Sequence, residues 1–465
     1  MSAALDEIHR RFLAGFEASD SEAQEPHQGE RRIGAELKFP LVDQAGKAPP
    51  NAVVDALWRY LVDERGWQPK YDGDSDRLIG ATKPGEQNDT VASCETGYCK
   101  TEFSLAHAAN LFDVERQLQV IREELRPFAE EQNVCFLGYG IQPVSRPGKK
   151  LVMKRNRTSF WDKVFPSNKV VREEDGDDFH MFTLNAASHV HVSVDRHEAI
   201  RAVNALNGFA GAQIALTAHS SVWKGQIDRE YRAVAEKFWD WWQPAKERVG
   251  VPHKAFDDSR DYVDTIANLE PVYVKRNGRP VMLKRYDSFI DYYEQDKAVG
   301  LDMHGNEVPV TPHPNDIDVH NSCYWFNARV SQYFTVENRV FDQQPPEALL
   351  APSALTLGLV SALHEAVEEI RPYHWDDLRA ARKAACKKPV PDSFHAERLE
   401  RLCMRMLEVA ELGLRRRGLG EEAFLTPLNE RFSNQTSPAQ EAERRFREDG
   451  IEGLLKARDV VNRVA

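Results

Sequence analysis

The sequence predicts an α+β fold, with an antiparallel sheet in the first three-quarters of its 465 residues, helices packed behind it and a helical C-terminal part. Two observations carry this. Segments that alternate apolar and polar residues at period two recur up to Asp342, in RRIGAELKFPLV, YCKTEFS, SHVHVSVD and FTVENRVFD. From Glu347 onward the apolar spacing turns helical, through SALTLGLVSALHEAVEEIRPY, SFHAERLERLCMRMLEVAELGLRRRG and AERRFREDGIEGLLKARDVV.

The elements follow in chain order. MSAALDEIHRRFLAGFEAS reads as an amphipathic helix, and DSEAQEPHQGE as a polar connector that ends a first segment at residue 30. RRIGAELKFPLV is a strand, NAVVDALWRYLVDERG a helix, and the stretch through YCKTEFS a run of short strands and turns. Residues 113–134 form an amphipathic helix on the stripe Leu118, Ile121 and Leu125, with a proline late in the run. SHVHVSVD is a strand that leads into a helical block from Arg196 to Trp242. Residues 250–332, rich in Pro, Asp and Asn, give no periodic element. The expected organisation is therefore 1–30, a core of 31–346 and a helical region of 347–465.

Composition narrows the function. With 61 basic against 73 acidic residues, a net of −12, the chain is not expected to bind nucleic acid or an acidic membrane surface. No apolar run approaches the length of a membrane span, and the N-terminus has no apolar signal core. The six cysteines are scattered, so free thiols and a cytoplasmic location are expected, and the pair Cys94 and Cys99 lacks the second pair a zinc site needs. There is no Gly-rich phosphate loop and no GxSxG elbow. No feature of the sequence specifies an oligomeric state.

The chemistry lies on the second face of the strands. In FTVENRVFD, Phe334, Val336, Asn338 and Val340 share one face, and Thr335, Glu337, Arg339 and Phe341 the other. Glu36 and Lys38 alternate with Ala35, Leu37 and Phe39; Lys100, Glu102 and Ser104 share a side; His189, His191, Ser193 and Asp195 oppose three valines. One such strand is ordinarily a solvated sheet face, with its charges as structural ion pairs. Four of them bearing carboxylate, imidazole and guanidinium groups point elsewhere. If the strands are neighbours, Glu36, Glu102, Glu337 and His191 converge, and their repulsion calls for a hard cation, Mg²⁺ or Mn²⁺. Arg339 beside them suits phosphate oxygens, so the set fits a nucleoside triphosphate site.

These segments resemble a known family. RIGAELKF, DGDSDRLIGATKPG, ETGYCKTEFS, VMKRNRTSF, SHVHVSVD, ALTAHSSVWKG with EYRAVAEKFW, and FTVENRVFD occur in the order seen in glutamate–cysteine ligases of the plant and proteobacterial type, over roughly residues 30–370. The HVHV pattern is closer to the related carboxylate–amine ligases. The resemblance implies a glutamine-synthetase-like curved antiparallel sheet whose polar concave face binds ATP and Mg²⁺. It implies Glu36, Glu102 and Glu337 as metal ligands, with His191 beside metal or phosphate and His189 beside the nucleotide. Arg232 and Arg339 would hold the transferring phosphate, and Lys154 and Arg155 an α-carboxylate. The implied reaction is ATP-dependent amide bond formation between two small molecules, glutamate and cysteine in the reference family. One departure stands out, because Lys38 occupies a position where the family usually has a second glutamate. Either the site holds one ion fewer, or Glu95 or an aspartate supplies the oxygen, or Lys38 itself contacts a phosphate or substrate carboxylate. A different acid or amine, or a non-catalytic nucleotide-binding homologue, are the alternatives.

Overall fold

The computed structural model describes residues 3–22, 31–72, 76–85, 88–154, 161, 178–242, 247–283, 285–388 and 393–461, with backbone alone at 18–22 and 393–395. Its principal sheet has nine strands: β1 (Ile33–Asp43), β2 (Gln68–Tyr71), β3 (Leu78–Lys83), β4 (Thr90–Cys94), β5 (Lys100–Ser104), β6 (Val134–Phe136), β7 (Ala187–Ser193), β8 (Ala328–Val330) and β9 (Thr335–Asp342). They lie in the order β8-β9-β7-β1-β5-β4-β3-β2, with β6 alongside the end of β1. Every pairing in it is antiparallel. The four strands singled out by their polar faces, β9, β7, β1 and β5, are consecutive neighbours.

The apolar face explains the rest. Ile33, Ala35, Leu37, Phe103, Val190, Val192 and Val336 are buried, and helices lie against this side because period-two burial leaves one face to cover. The helix Ala351–Ser361, whose residues Ala351–Val360 are all buried, packs on β7, while Ala199–Gly208 and Ala210–Thr217 pack on β8 and β9. Helix Ala351–Ser361 in turn meets the long helix Ser393–Arg417 where Gly358 and Gly413 face each other, so closely that a Cβ on either would overlap the other helix's backbone.

The N-terminal helix Ala3–Glu22 joins the same body. Phe12 and Phe16 pack edge-on against Phe334, with ring centroids 6.3 and 5.1 Å apart, and Arg11 pairs with Asp318. Buried side chains from Leu5 to Val461 make one contiguous core that runs through the 1–30, 31–346 and 347–465 segments alike. No single described helix is long and apolar enough to cross a membrane, and the apolar pair Pro346–Ser361 and Leu363–Ile370 is bent by 91°.

Two expectations change. The helical block Arg196–Trp242 is three helices, Ala199–Gly208, Ala210–Thr217 and Val234–Trp241, interrupted by a loop with two-residue strands. Residues 250–332, unassigned from sequence, hold a second antiparallel sheet of Tyr273–Arg276, Arg279–Met282, Ala298–Leu301 and Glu307–Val310, with short helices around it. Four-residue strands are too short to display a period. The first hairpin nonetheless carries a local signal, Asn277-Gly278, both at positive φ (51° and 80°) as a two-residue turn of this hand requires.

Candidate active site

Register brings the polar residues together. Across β1 and β7, Glu36 is opposite His189 and Gly34 opposite His191. Across β1 and β5, Lys38 is opposite Glu102, and across β9 and β7, Glu337 is opposite His191. Directly opposed residues project to the same side of a sheet, so Glu36, Lys38, Glu102, His189, His191 and Glu337 form one basin.

Its contacts are short and dense. Lys38 Nζ lies 3.1 Å from Glu36 Oε2, 2.9 Å from Glu102 Oε2 and 3.0 Å from His189 Nδ1. The other Glu36 oxygen, Oε1, is 3.2 Å from His191 Nε2, while His191 Nδ1 is 2.9 Å from Thr335 Oγ1. That last bond fixes the imidazole and turns Nε2 toward the carboxylates. Glu337 accepts from Arg329 Nε at 2.7 Å and from Arg339. Glu36, His191 and Glu337 each offer a ligand atom within 4.8 Å of the others, the one group of that kind among the described residues.

The basin's charges tune one another. Burial would raise the Glu36 carboxyl, but the Lys38 charge and hydrogen bonds from His189 and His191 hold it well below the usual range. Burial likewise opposes, and Arg329 and Arg339 outweigh, so that Glu337 is lowered. Lys38 is raised despite burial by Glu102, Glu36 and Glu95. Burial, with Arg339 and Lys38, brings His189 down to about 3, so it is neutral at pH 7. Burial works against the His191 charge, yet the hydrogen bond and charge of Glu36 raise it. Glu102 is pushed up to about 7 by burial and by Glu95 and Glu36, against Lys38. Two ionised carboxylates and a base at metal-ligand spacing fit a hard divalent ion.

The structure gathers Glu36, Lys38, Glu102, His189, His191, Glu337 and Arg339, and it sets Glu95 beside them, hydrogen-bonded to Glu102. It does not gather Arg232. Tyr231 bridges to Lys387 ahead of the helix Val234–Trp241, the Arg232 N–H donates to the Cys386 carbonyl, and its Nε donates to the Lys387 carbonyl at 2.8 Å. The guanidinium therefore faces the C-terminal helices, near Cys386, Cys403 and Glu443, which corrects its expected place at the phosphate. Lys154 is exposed, one residue beyond a backbone bond from Met153 to Thr96 at the β4–β5 turn; Arg155 lies outside the described residues. The expected phase of β9 is also corrected. A bulge between Asn338 and Phe341 sets Phe341 opposite Ser188 and Asp342 opposite Ala187. Asp342, not Phe341, thus takes the His189 side of the sheet, where it accepts from the His219 N–H at 2.6 Å and Ser220 Oγ at 2.7 Å.

Sequence reasoning missed Arg329, which sits on a three-residue strand with no period to read. It also missed a pocket beside the basin, between His189, Arg339 and Asp342 on one side and Glu236, Trp239, Trp325 and Asn327 on the other. Those residues are separated in sequence by stretches without strand or helix periodicity, so only the fold unites them.

Comparison with known proteins agrees with this picture. The sequence profile of glutamate-cysteine ligase family 2 matches residues 32–458. The chain is 25% identical over 450 residues to the chloroplastic glutamate–cysteine ligase of Brassica juncea, covering 94% of this chain and 81% of that one. It is 24% identical over 394 residues to the corresponding Medicago truncatula enzyme, covering 83% and 72%. Among solved structures it is similar to the glutamate–cysteine ligase of Francisella tularensis in complex with AMP, at a TM-score of 0.54 and 11% identity, over 92% of this chain and 87% of that one. At that identity the likeness is one of fold, the glutamine-synthetase-like α+β arrangement.

Proposed function

The chain belongs to glutamate-cysteine ligase family 2 and is a ligase; from that premise we propose that it joins glutamate to cysteine with ATP, through an acyl phosphate, on the basin of Glu36, His191 and Glu337. The observation that carries the reading is the convergence of these three residues with Arg339 on one sheet face. An ionised carboxylate is a poor acyl donor, since its leaving group would be oxide. Attack of a carboxylate oxygen of the acid on the γ-phosphorus releases ADP and leaves phosphate as leaving group. The amine nitrogen then attacks the acyl carbon, the C–O bond to phosphate breaks, and the amine gives up a proton.

The residues divide this work. Glu36, His191 and Glu337 fit a Mg²⁺ or Mn²⁺ ion, which when bound neutralises phosphate oxygens. Arg339, at the junction of basin and pocket, stabilises charge on the phosphoryl group in transfer, a contribution of roughly 2–4 kcal/mol for a preorganised donor. His189, neutral and bonded to Lys38, offers no charge to the nucleotide and orients its neighbours instead. The exposed Lys154 is our candidate for the acid's α-carboxylate. Location in the cytoplasm accords with six buried free thiols.

One observation favours a second reading within the same chemistry. Lys38 stands where the family usually has a second glutamate, which keeps a different acid or amine open as substrate.

The deciding experiment is ADP release with Mg²⁺ and ATP, with glutamate alone, with glutamate and cysteine, and with glutamate and a panel of amines, products identified by mass. Cysteine-dependent turnover to the γ-glutamyl dipeptide is the expected result. Turnover only with another amine selects the second reading, and no turnover with any pair overturns both.

A further inference from the structure

Lys38 is the residue in the basin whose chemistry the proposed reaction leaves unused. Its ammonium lies among three side chains, 3.1 Å from Glu36 Oε2, 3.0 Å from His189 Nδ1 and in an ion pair with Glu102 Oε2 at 2.9 Å. The side chain is 5% exposed. Enclosed between two carboxylates and an imidazole, its charge is set against the basin's own anions. It behaves as a fixed cation held by side chains from β1, β5 and β7.

Spacing then decides what else this place can hold. Mg²⁺ takes oxygens at about 2.0–2.1 Å in a near-octahedral shell, whereas these acceptors stand 2.9–3.1 Å from a shared centre that already carries a nitrogen. Glu36 is divided between two cations by its own geometry: Oε2 turns to Lys38 and Oε1 turns to His191, on the side of the Glu36, His191 and Glu337 group. Glu102 takes no part in that group, and its Oε1 accepts from Ser104 Oγ at 3.2 Å.

Resting on the reading of this basin as a metal-dependent ligase site, we propose that the Lys38 ammonium occupies the place of one divalent ion, so that the protein itself holds a single metal ion, at Glu36, His191 and Glu337, and Glu102 serves Lys38 rather than metal. Specificity follows. One internal cation that never dissociates also fixes the Glu36 carboxylate in position for the ion beside it.

The test is a titration of the full chain with Mn²⁺ alone, free Mn²⁺ being read by electron paramagnetic resonance. The wild type is expected to bind one equivalent, and His191→Ala to lose it. Lys38→Glu is expected to bind two, and Lys38→Glu with Glu102→Gln to fall back to one. Lys38→Gln, the less drastic replacement, is expected to gain the second equivalent as well and serves if Lys38→Glu does not fold. Two equivalents in the wild type, none in the wild type, or one in both folded Lys38 variants each overturn the proposal. ADP release is measured separately on the wild type. Its absence with every acid and amine removes the proposed function, whereas a wrong metal count with turnover intact removes only this inference.

Discussion

Both oxygens of the Glu337 carboxylate are committed to guanidinium groups, Arg329 at one and Arg339 at the other, and the side chain is 3% exposed. The structural ion pair and the proposed metal ligand are thus one and the same residue, so the two roles do not separate cleanly by mutation. Glu337→Gln leaves two buried guanidinium groups without their shared counter-charge, and breaking a buried pair costs about 3–5 kcal/mol. The expected outcome is loss of ADP release together with a fall in chemical-denaturation stability of that order. Glu36→Gln, a partly exposed residue, should lose activity with a smaller fall. His320 offers a separate test at this scale. Its Nε2–H donates to the Ile266 carbonyl at 2.8 Å, its ring stacks on Phe289, and Nδ1 has no hydrogen-bond partner among the described residues. Burial brings it down to about 3 from an ordinary 6.5. Between those values the unfolded chain binds the extra proton, so this contribution is complete above pH 6.5 and is lost as pH falls toward 3. Thermal midpoints should therefore drop between pH 7 and pH 4, with His189 and His219 acting in the same direction. His320→Phe should cost about 1 kcal/mol at pH 7 for the lost hydrogen bond and flatten that slope.

Strands with five to eleven residues and an alternating pattern, and helices with a clear stripe, were legible as elements; strands of two to four residues were not. β1, β7 and β9 declared themselves by alternation, and the basin followed from them because register, once the strands are neighbours, sets Glu36, His189, His191 and Glu337 side by side. Arg329 and the second sheet escaped because three or four residues cannot show a period. Arg232 was misplaced for another reason: a motif fixes order along the chain but not the direction of a side chain in a loop. The contact between helices Ala351–Ser361 and Ser393–Arg417 is an element-scale feature with its own test. Gly413→Ala or Gly358→Ala forces the helices apart beneath the sheet, an overpacking expected to cost about 1–3 kcal/mol. Thermal denaturation measures it, and an unchanged midpoint would show that the helices do not pack as described.

For the molecule as a whole, the sequence divides into three stretches, but the buried side chains form one continuous core. The C-terminal helices are the far wall of the sheet's apolar face, not an appendage, since Ala351–Ser361 lies directly on β7. A chain ending at residue 346 should therefore fail to fold, as judged by circular dichroism and gel filtration, because β7 and β9 would expose the valines now buried against helices. A compact, stable 1–346 product would restore the three-part division. The N-terminal helix is bound in similarly, through Phe12 and Phe16 on Phe334, whose backbone is held at a φ of 56° just before Thr335 and its bond to His191.

The bulge in β9 also governs how this strand tolerates changes in length. Arg339 and Val340 together oppose the single residue His189, so one residue there is surplus to the alternation. Deleting Val340 leaves Glu337, Arg339 and Asp342 on their present sides and only straightens the ladder. Deleting any one residue between Thr335 and Asn338 inverts part of the strand and drives apolar side chains into the basin. Naturally occurring or engineered single-residue deletions in this strand should thus be survivable at one point and ruinous a few ångströms away.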